Sequence, residues 1–378
     1  MNTPGQPELA SSPTATTNFT WYRGDNTEFL PNVDALYSAA GIQDYVVKGW
    51  NPQEPFITPT TNITAFGSCF AAHISEWLSQ RNYHVLTDKS RSGDAYVIRC
   101  GEGMVNSFTL AGQFEWAFEG RVPQGEFWHG YSAEAFGYDE TIRRQTQEIF
   151  LETDLFILTF GLSEIWYDKP SGEVFWRAIP SDKFDPERHG FRVASVAENQ
   201  ENIAKTYRLI RKHVPKAKVV FTLSPIPLIA TFRPMSCLTA NAVSKASLRV
   251  AIDSVLQENA SDGFLHYWPS YEIVTDCFVD KWTSDRRHVK RPILDYVMTA
   301  FEAAWCQNRP SDKELRAKLY EARVADGTIP RAVRNFIEAG NRDGLKRILE
   351  SWRKIDQSAF ADFVDQCASE ILEGKSAA

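Results

Sequence analysis

The serine in the stretch Gly-Ser-Cys-Phe-Ala, residues 67–71, lies between an apolar run ending at Phe66 and a helical pattern beginning at Ala71. A hydroxyl at such a junction lies beside the first free N–H groups of a helix, where the backbone stabilises negative charge. Gly67 allows the sharp turn that joins the two elements. Ser68 is therefore a candidate nucleophile with a built-in oxyanion site, although a Gly-Ser pair also caps helices without any catalytic role.

A second candidate segment, Asp-Arg-Arg-His at residues 285–288, lies far downstream. Its acid and imidazole are three positions apart, so a helical turn or tight loop lets them face each other. Such a carboxylate fixes the imidazole tautomer and leaves the other ring nitrogen to activate a serine. We therefore expect His288 to act as a base and Asp285 to orient it, the alternative being a charged surface turn.

Strand and helix patterns alternate along the chain. Short β-branched or aromatic runs predict five strands, at 62–66, 95–99, 155–160, 218–223 and 264–268. Helical periodicity predicts helices at 71–81, 108–118, 139–152, 196–213, 240–259 and 293–305. This alternation predicts an α/β fold whose parallel sheet is covered by helices on both faces.

The pattern also suggests how the chain is divided. Residues 1–18, rich in Thr, Pro, Ser and Ala, predict a flexible leader, and 19–310 predict the α/β domain. Segments 121–138 and 163–195 are typical of insertions. The second predicts a hairpin that pairs 165–167 with 174–177 around a turn at 169–172. Residues 311–378 predict a helical C-terminal extension.

Composition excludes several classes of function. The 378 residues carry a formal net charge of −7, which disfavours binding to nucleic acid. Six scattered cysteines without a Cys-x-x-Cys pair predict reduced thiols in a cytoplasmic protein. No apolar run is long enough to span a bilayer, and the leader lacks the features of a signal peptide. No metal or cofactor motif is present, so we expect neither.

Taken together, these segments resemble the GSCFA family, a branch of the SGNH/GDSL hydrolase superfamily, over roughly residues 50–310. The resemblance rests on residues 67–71, 159–166, 223–228, 268–273 and 285–288. It implies a three-layer α/β/α sandwich with a mostly parallel five-stranded sheet, followed here by the helical appendage. It also implies Ser68 as the nucleophile, His288 as the base and Asp285 as the partner of the base.

The resemblance further implies an oxyanion site made from a glycine N–H and an asparagine amide. Gly161 ends the third predicted strand, where the superfamily has Gly-x-Asn-Asp, but this chain continues with Leu, Ser163 and Glu164. In place of the missing asparagine, either Ser163 or Asn106 can supply a donor. Glu164 is a candidate substrate contact, or equally a salt-bridged framework acid.

Two functions from different classes follow as expectations. The first is a cofactor-independent serine hydrolase or O-acyltransferase that acts on an acylated carbohydrate or similar small ester through an acyl-Ser68 intermediate. The second is a non-catalytic glycan- or partner-binding module on the same fold. Cys69, the neighbour of Ser68, is interpreted as a buried helix residue. The acyl group, any acyl donor and acceptor, and the oligomeric state are not determined by the sequence.

Overall fold

The computed structural model describes residues 24–89, 93–125, 128–130 and 132–376, so the predicted leader at 1–18 lies outside the described residues. The described chain forms two compact units. One contains residues 46–335, and the other combines residues 24–45 with 336–376. Across this described part, no helix has both the length and the apolar character needed to cross a membrane.

The strands of the 46–335 unit are β1 (Ile63–Phe66), β2 (Leu155–Phe160), β3 (Glu164–Asp168), β4 (His189–Val193), β5 (Lys218–Leu223) and β6 (Leu265–Trp268). Four of them form a sheet in the order β1-β2-β5-β6, and each neighbouring pair is parallel. All six residues of β2 are buried, as are five of the six in β5. Their continuous apolar sequences are typical of strands covered on both faces.

The helices are α1 (Val33–Tyr37), α2 (Cys69–Gln80), α3 (Tyr96–Arg99), α4 (Ser107–Glu119), α5 (Glu140–Glu152), α6 (Val196–His213), α7 (Cys237–Glu258), α8 (Ser270–Cys277), α9 (Arg291–Trp305), α10 (Asp312–Ala325), α11 (Arg331–Glu338), α12 (Arg342–Arg353) and α13 (Ser358–Ser376). Side-chain caps set several starts, among them the reciprocal Ser195–Glu198 capping box of α6. Stacked rings of Phe66, Phe114 and Phe150 join β1, α4 and α5 in the core.

The predicted strand at 95–99 is wrong, and the sheet formed by the described residues has four strands instead of five. Those residues form the helical turn α3, where Tyr96 stacks on Trp116 with ring centroids 5.7 Å apart. The backbone N–H and C=O groups at the free edge of β1 find hydrogen-bond partners in another way. The chain makes one parallel bridge there, between Ile63 and Val85, and the Thr87 hydroxyl then bonds both the N–H and the C=O of Ala65 at 3.0 Å. A side chain thus takes the place of a fifth strand.

The predicted partner of the hairpin strand at 165–167 is also wrong. Strand β3 pairs antiparallel with β4, and the 174–177 segment keeps only an isolated bridge between Tyr167 and Val174. The predicted turn does form, with Gly172 at φ +74°. Burial explains the difference, because Trp176 leaves the ladder to stack on Trp128 with centroids 4.7 Å apart.

The helices after residue 310 are divided between the two units. Helix α10 lies in the 46–335 unit, while α12 and α13 lie in the other. In that second unit, the Asp34 carboxylate accepts hydrogen bonds from the N–H groups of Ala359 (3.1 Å) and Phe360 (2.9 Å). An acidic side chain at the first turn of α13 complements the helix dipole there.

Candidate active site

Ser68 stands between β1 and α2, at the carboxyl end of the sheet. It is the N-cap of α2, it is only 3% exposed, and its Oγ accepts a hydrogen bond from the Phe70 N–H at 3.1 Å. Gly67 before it has φ +131°, and a Cβ at that position would lie 2.0 Å from the Thr159 carbonyl oxygen of β2. Glycine is therefore required for the chain to pass β2 and bring the serine to the helix terminus.

A cavity of about 400 Å³ opens beside this serine. Its polar lining includes Ser68, Asn106, Glu164 and Arg287, and most of the remaining wall is aliphatic or aromatic. The cavity lies where the parallel strands end, which is where open α/β sheets bind ligands. Its size and its few polar groups in an apolar wall are typical of small-molecule sites.

Asp285 and His288 contact each other in a tight loop. His288 Nδ1 lies 2.5 Å from Asp285 Oδ2. The other carboxylate oxygen accepts bonds from Thr283 Oγ1 (2.7 Å), the Arg287 N–H (2.9 Å) and the His288 N–H (3.0 Å). The Thr283 bond first, then these N–H groups and the imidazole, hold the pKa of Asp285 well below its usual range. The carboxylate stays ionised and fixes the imidazole.

The structure does not join His288 to Ser68. Within the described residues no hydrogen bond links the two side chains, and the cavity is lined by Arg287 instead of His288. The imidazole is 53% exposed. Its loop nevertheless reaches the start of α2, because Arg287 of that loop lines the same cavity as Ser68 and Cys69.

Asn106 brings an amide donor to the cavity. Asn106 is the N-cap of α4, and its Oδ1 accepts hydrogen bonds from the N–H (2.8 Å) and the hydroxyl (3.0 Å) of Thr109. Because the Thr109 N–H needs an acceptor, these bonds fix the amide orientation. Among the described residues, the one hydrogen-bond acceptor of the Nδ2 group is the Trp176 carbonyl oxygen, at a long 3.5 Å. Asn106 can therefore donate to a ligand oxygen.

Gly161 and Ser163 are placed differently from each other. Gly161 lines the cavity, but its N–H already donates to the Val105 carbonyl at 2.7 Å. Ser163 is fully buried and lies outside the cavity lining, because its N–H and hydroxyl both bond Ser244 on α7, at 2.8 and 3.1 Å. The structure thus brings Asn106 and Gly161 to the cavity and leaves Ser163 behind it.

Lys245 does not line the cavity but bonds backbone groups of residues that do, and sequence reasoning missed it. Lys245 lies on the buried face of α7, and its Nζ donates to the carbonyl oxygens of Gly161, Ser224 and Ile226, each at 2.7 Å. Burial lowers the pKa of Lys245 to about 7, while three acceptors match the three hydrogens of the ammonium form. The only signal in the sequence is its spacing, three residues before the buried Leu248 on the same helix face.

Cys69 is partly buried and lines the cavity next to Ser68. Burial raises the pKa of its thiol, and the charge of Arg287 opposes this only in part. The thiolate needed for nucleophilic attack is therefore disfavoured, which leaves the serine hydroxyl as the better candidate.

Glu164 is a buried carboxyl group at the cavity, and its ionisation predicts a pH effect. Burial raises its pKa, while a 2.9 Å bond from Thr231 Oγ1 and the charge of Arg233 oppose the shift. Because the pKa of this carboxyl is higher in the folded than in the unfolded state, the free energy of unfolding falls as pH rises through the folded-state pKa. Glu164→Gln removes this loss and should therefore raise Tm by about 2 °C near neutral pH. The gain should vanish as pH falls below the ordinary carboxyl pKa.

Thermal unfolding followed across that pH range measures this effect. Glu187→Gln is the matched control, because Glu187 is exposed and its substitution changes the net charge equally. A Tm difference for Glu164→Gln that stays constant with pH would show that the carboxyl does not titrate abnormally.

These features define an α/β protein with a serine, an amide donor and an Asp–His pair at the carboxyl end of a parallel sheet. The family model described as "GSCFA family" matches residues 62–301, which is more than half of the chain, and the protein therefore belongs to this family. The resemblance drawn from the sequence is confirmed. No curated protein matches the chain.

Proposed function

We propose that this protein is an SGNH-type serine enzyme that cleaves or transfers an acyl group through an acyl-Ser68 intermediate. One observation carries the proposal. The serine caps a helix at the wall of a ligand-sized cavity, and the loop holding the bonded Asp285–His288 pair sends its Arg287 into the same cavity. The proposal includes the three-layer sandwich of the superfamily, with the four-stranded sheet as its central layer.

In this mechanism Ser68 Oγ attacks the ester carbonyl and its proton passes to His288 Nε2. The negative charge that develops on the carbonyl oxygen accepts hydrogen bonds from Asn106 Nδ2 and from the Cys69 N–H at the start of α2. The C–O bond then breaks, and His288 returns the proton to the departing alkoxide. Asp285 stabilises the imidazolium throughout.

This scheme requires His288 to approach Ser68 when substrate binds. The exposure of the imidazole leaves room for its side chain to turn, and catalytic hydrogen bonds often tighten only in the substrate complex. The second half-reaction delivers the acyl group to water or to a sugar hydroxyl, which corresponds to esterase or O-acyltransferase activity on an acylated carbohydrate or similar small ester. The six free thiols support a cytoplasmic location as part of the proposal.

Covalent labelling with a fluorophosphonate tests the proposal directly. We expect the wild-type protein to be labelled on Ser68, Ser68→Ala to lose the label, and His288→Ala to react more slowly. Ser75→Ala, a buried serine on the same helix, is the matched control and should keep the label.

The absence of labelling in folded wild-type protein would contradict the proposal, as would a label on another residue. Such a result would favour the second candidate, a non-catalytic glycan- or partner-binding module. The observation that favours a binding module is that the Ser68 and His288 side chains are not hydrogen bonded to each other in the structure.

A further inference from the structure

The charged side chains that line the cavity are Glu102, Glu164, Arg177 and Arg287. Glu102 is neutralised by Lys89, whose Nζ lies 2.9 Å away. Glu164 is buried, its carboxylate accepts a hydrogen bond from Thr231 Oγ1, and the nearby cation that acts on it is Arg233. The two acids at the cavity are therefore poor counterions for a cation in its wall.

Arg287 is the cation of interest because it lines the cavity with Ser68 and its charge acts on the neighbouring Cys69. It is partly buried, and the one hydrogen bond of its side chain within the described residues is a weak one of 3.4 Å from Nε to the Pro227 carbonyl oxygen. No carboxylate of the described residues forms an ion pair with it. A partly desolvated guanidinium without a counterion is costly, and a planar carboxylate satisfies it with two parallel hydrogen bonds.

The N-terminus of helix α2 adds a second source of positive potential at the cavity. Its N-terminus begins at the cavity with Ser68 as the cap, and its first turn carries no acidic residue. The positive end of the helix dipole and the Arg287 guanidinium therefore both favour an anion near the serine.

The rest of the wall is apolar. Its largest side chains are Trp166, Phe175, Trp176, Phe191 and Phe232. A small acyl group such as acetyl would leave this wall uncovered, whereas an aromatic or extended aliphatic group would bury against it.

We propose that Arg287 makes the cavity selective for ligands with an apolar body and a single carboxylate, and that the substrates are esters of this anionic kind. The part that concerns esters rests on the proposed function. The part that concerns ligand recognition stands on the cavity and can be tested without turnover.

Binding to the Ser68→Ala protein, measured by calorimetry at about pH 8, tests recognition because the acid is ionised and the nucleophile is absent. The probes are 4-phenylbutanoate and its neutral amide, which share the same apolar body. We expect the acid to bind about tenfold more tightly, and Arg287→Gln to remove this preference. Arg286→Gln, which removes an exposed arginine next in sequence, is the matched control and should retain it.

Equal affinity for acid and amide would overturn the proposal, and so would a preference that Arg287→Gln leaves intact. Circular dichroism of each variant establishes that the comparison is between folded proteins. If labelling of Ser68 fails but the preference for the acid depends on Arg287, the proposed function is wrong and the recognition site stands.

Turnover tests the ester part. The substrates are 4-nitrophenyl hexanoate and the mono-4-nitrophenyl ester of adipic acid, which have acyl chains of equal length and differ by a terminal carboxylate. We expect Arg287→Gln to lower the ratio of kcat/KM for the charged over the neutral ester by about tenfold. An equal loss for both esters would assign Arg287 to the chemical step and refute its role in selectivity.

Discussion

Replacing His288 by alanine should lower kcat/KM for an activated ester by about a thousandfold, because Ser68 then has no base to accept its proton. Ser68→Ala should cause a loss of similar size, and the double variant should be no worse than either single one. Groups that act in a single proton transfer fail together, so their losses do not add. Steady-state hydrolysis of a 4-nitrophenyl ester by the three variants measures this.

His73→Asn is the control for this experiment, since His73 lies on α2 near the same loop but has no role in the mechanism. Its rate should stay within a few-fold of the wild-type rate. Losses that multiply in the double variant would mean that Ser68 and His288 act independently, and a small loss for His288→Ala would remove it as the base.

Substituting Gly67 by alanine should destabilise the protein by about 3–5 kcal/mol. The added Cβ would lie 2.0 Å from the Thr159 carbonyl oxygen, which belongs to the backbone of a central strand and cannot move aside cheaply. The φ of +131° adds strain that alanine rarely tolerates. Urea unfolding of the purified variant, compared with wild type, gives the change in free energy of unfolding.

The variant Gly172→Ala separates the effect of backbone strain from that of the steric clash. Gly172 also has a positive φ, +74°, but an added Cβ there meets no atom within 4 Å. It should therefore cost only about 1 kcal/mol, the usual penalty for a left-handed residue. Equal destabilisation by the two substitutions would show that backbone strain alone, and not the approach of β1 to β2, requires glycine before the serine.

Local patterns predicted most of the fold. Short β-branched or aromatic runs identified the four strands of the parallel sheet, and the helix between residues 196 and 213 has the bounds that its periodicity predicted. The 95–99 run was misjudged because a short apolar segment fits a strand or a helical turn equally well. The edge that a fifth strand would cover is satisfied by the Thr87 hydroxyl, a contact that no local pattern encodes.

The candidate site likewise has some features that local sequence predicts and others that it does not. The contact between Asp285 and His288 is local and follows from their spacing, as does the position of Ser68 at a strand–helix junction. The placement of Ser163 depends on Ser244, and the role of Lys245 depends on carbonyl groups that follow two different strands. Such long-range partners are set by tertiary packing, which the sequence of one segment does not contain.

The single ammonium of Lys245 has a consequence for how the site can adapt. Its three hydrogen bonds join the backbone after β2 to the backbone after β5, so a displacement of one segment would break bonds to the other. The same connection continues to Ile229 and Phe232, which line the cavity and are 78% and 56% exposed. Substitutions at these two exposed positions should therefore change the apolar wall without disturbing the serine.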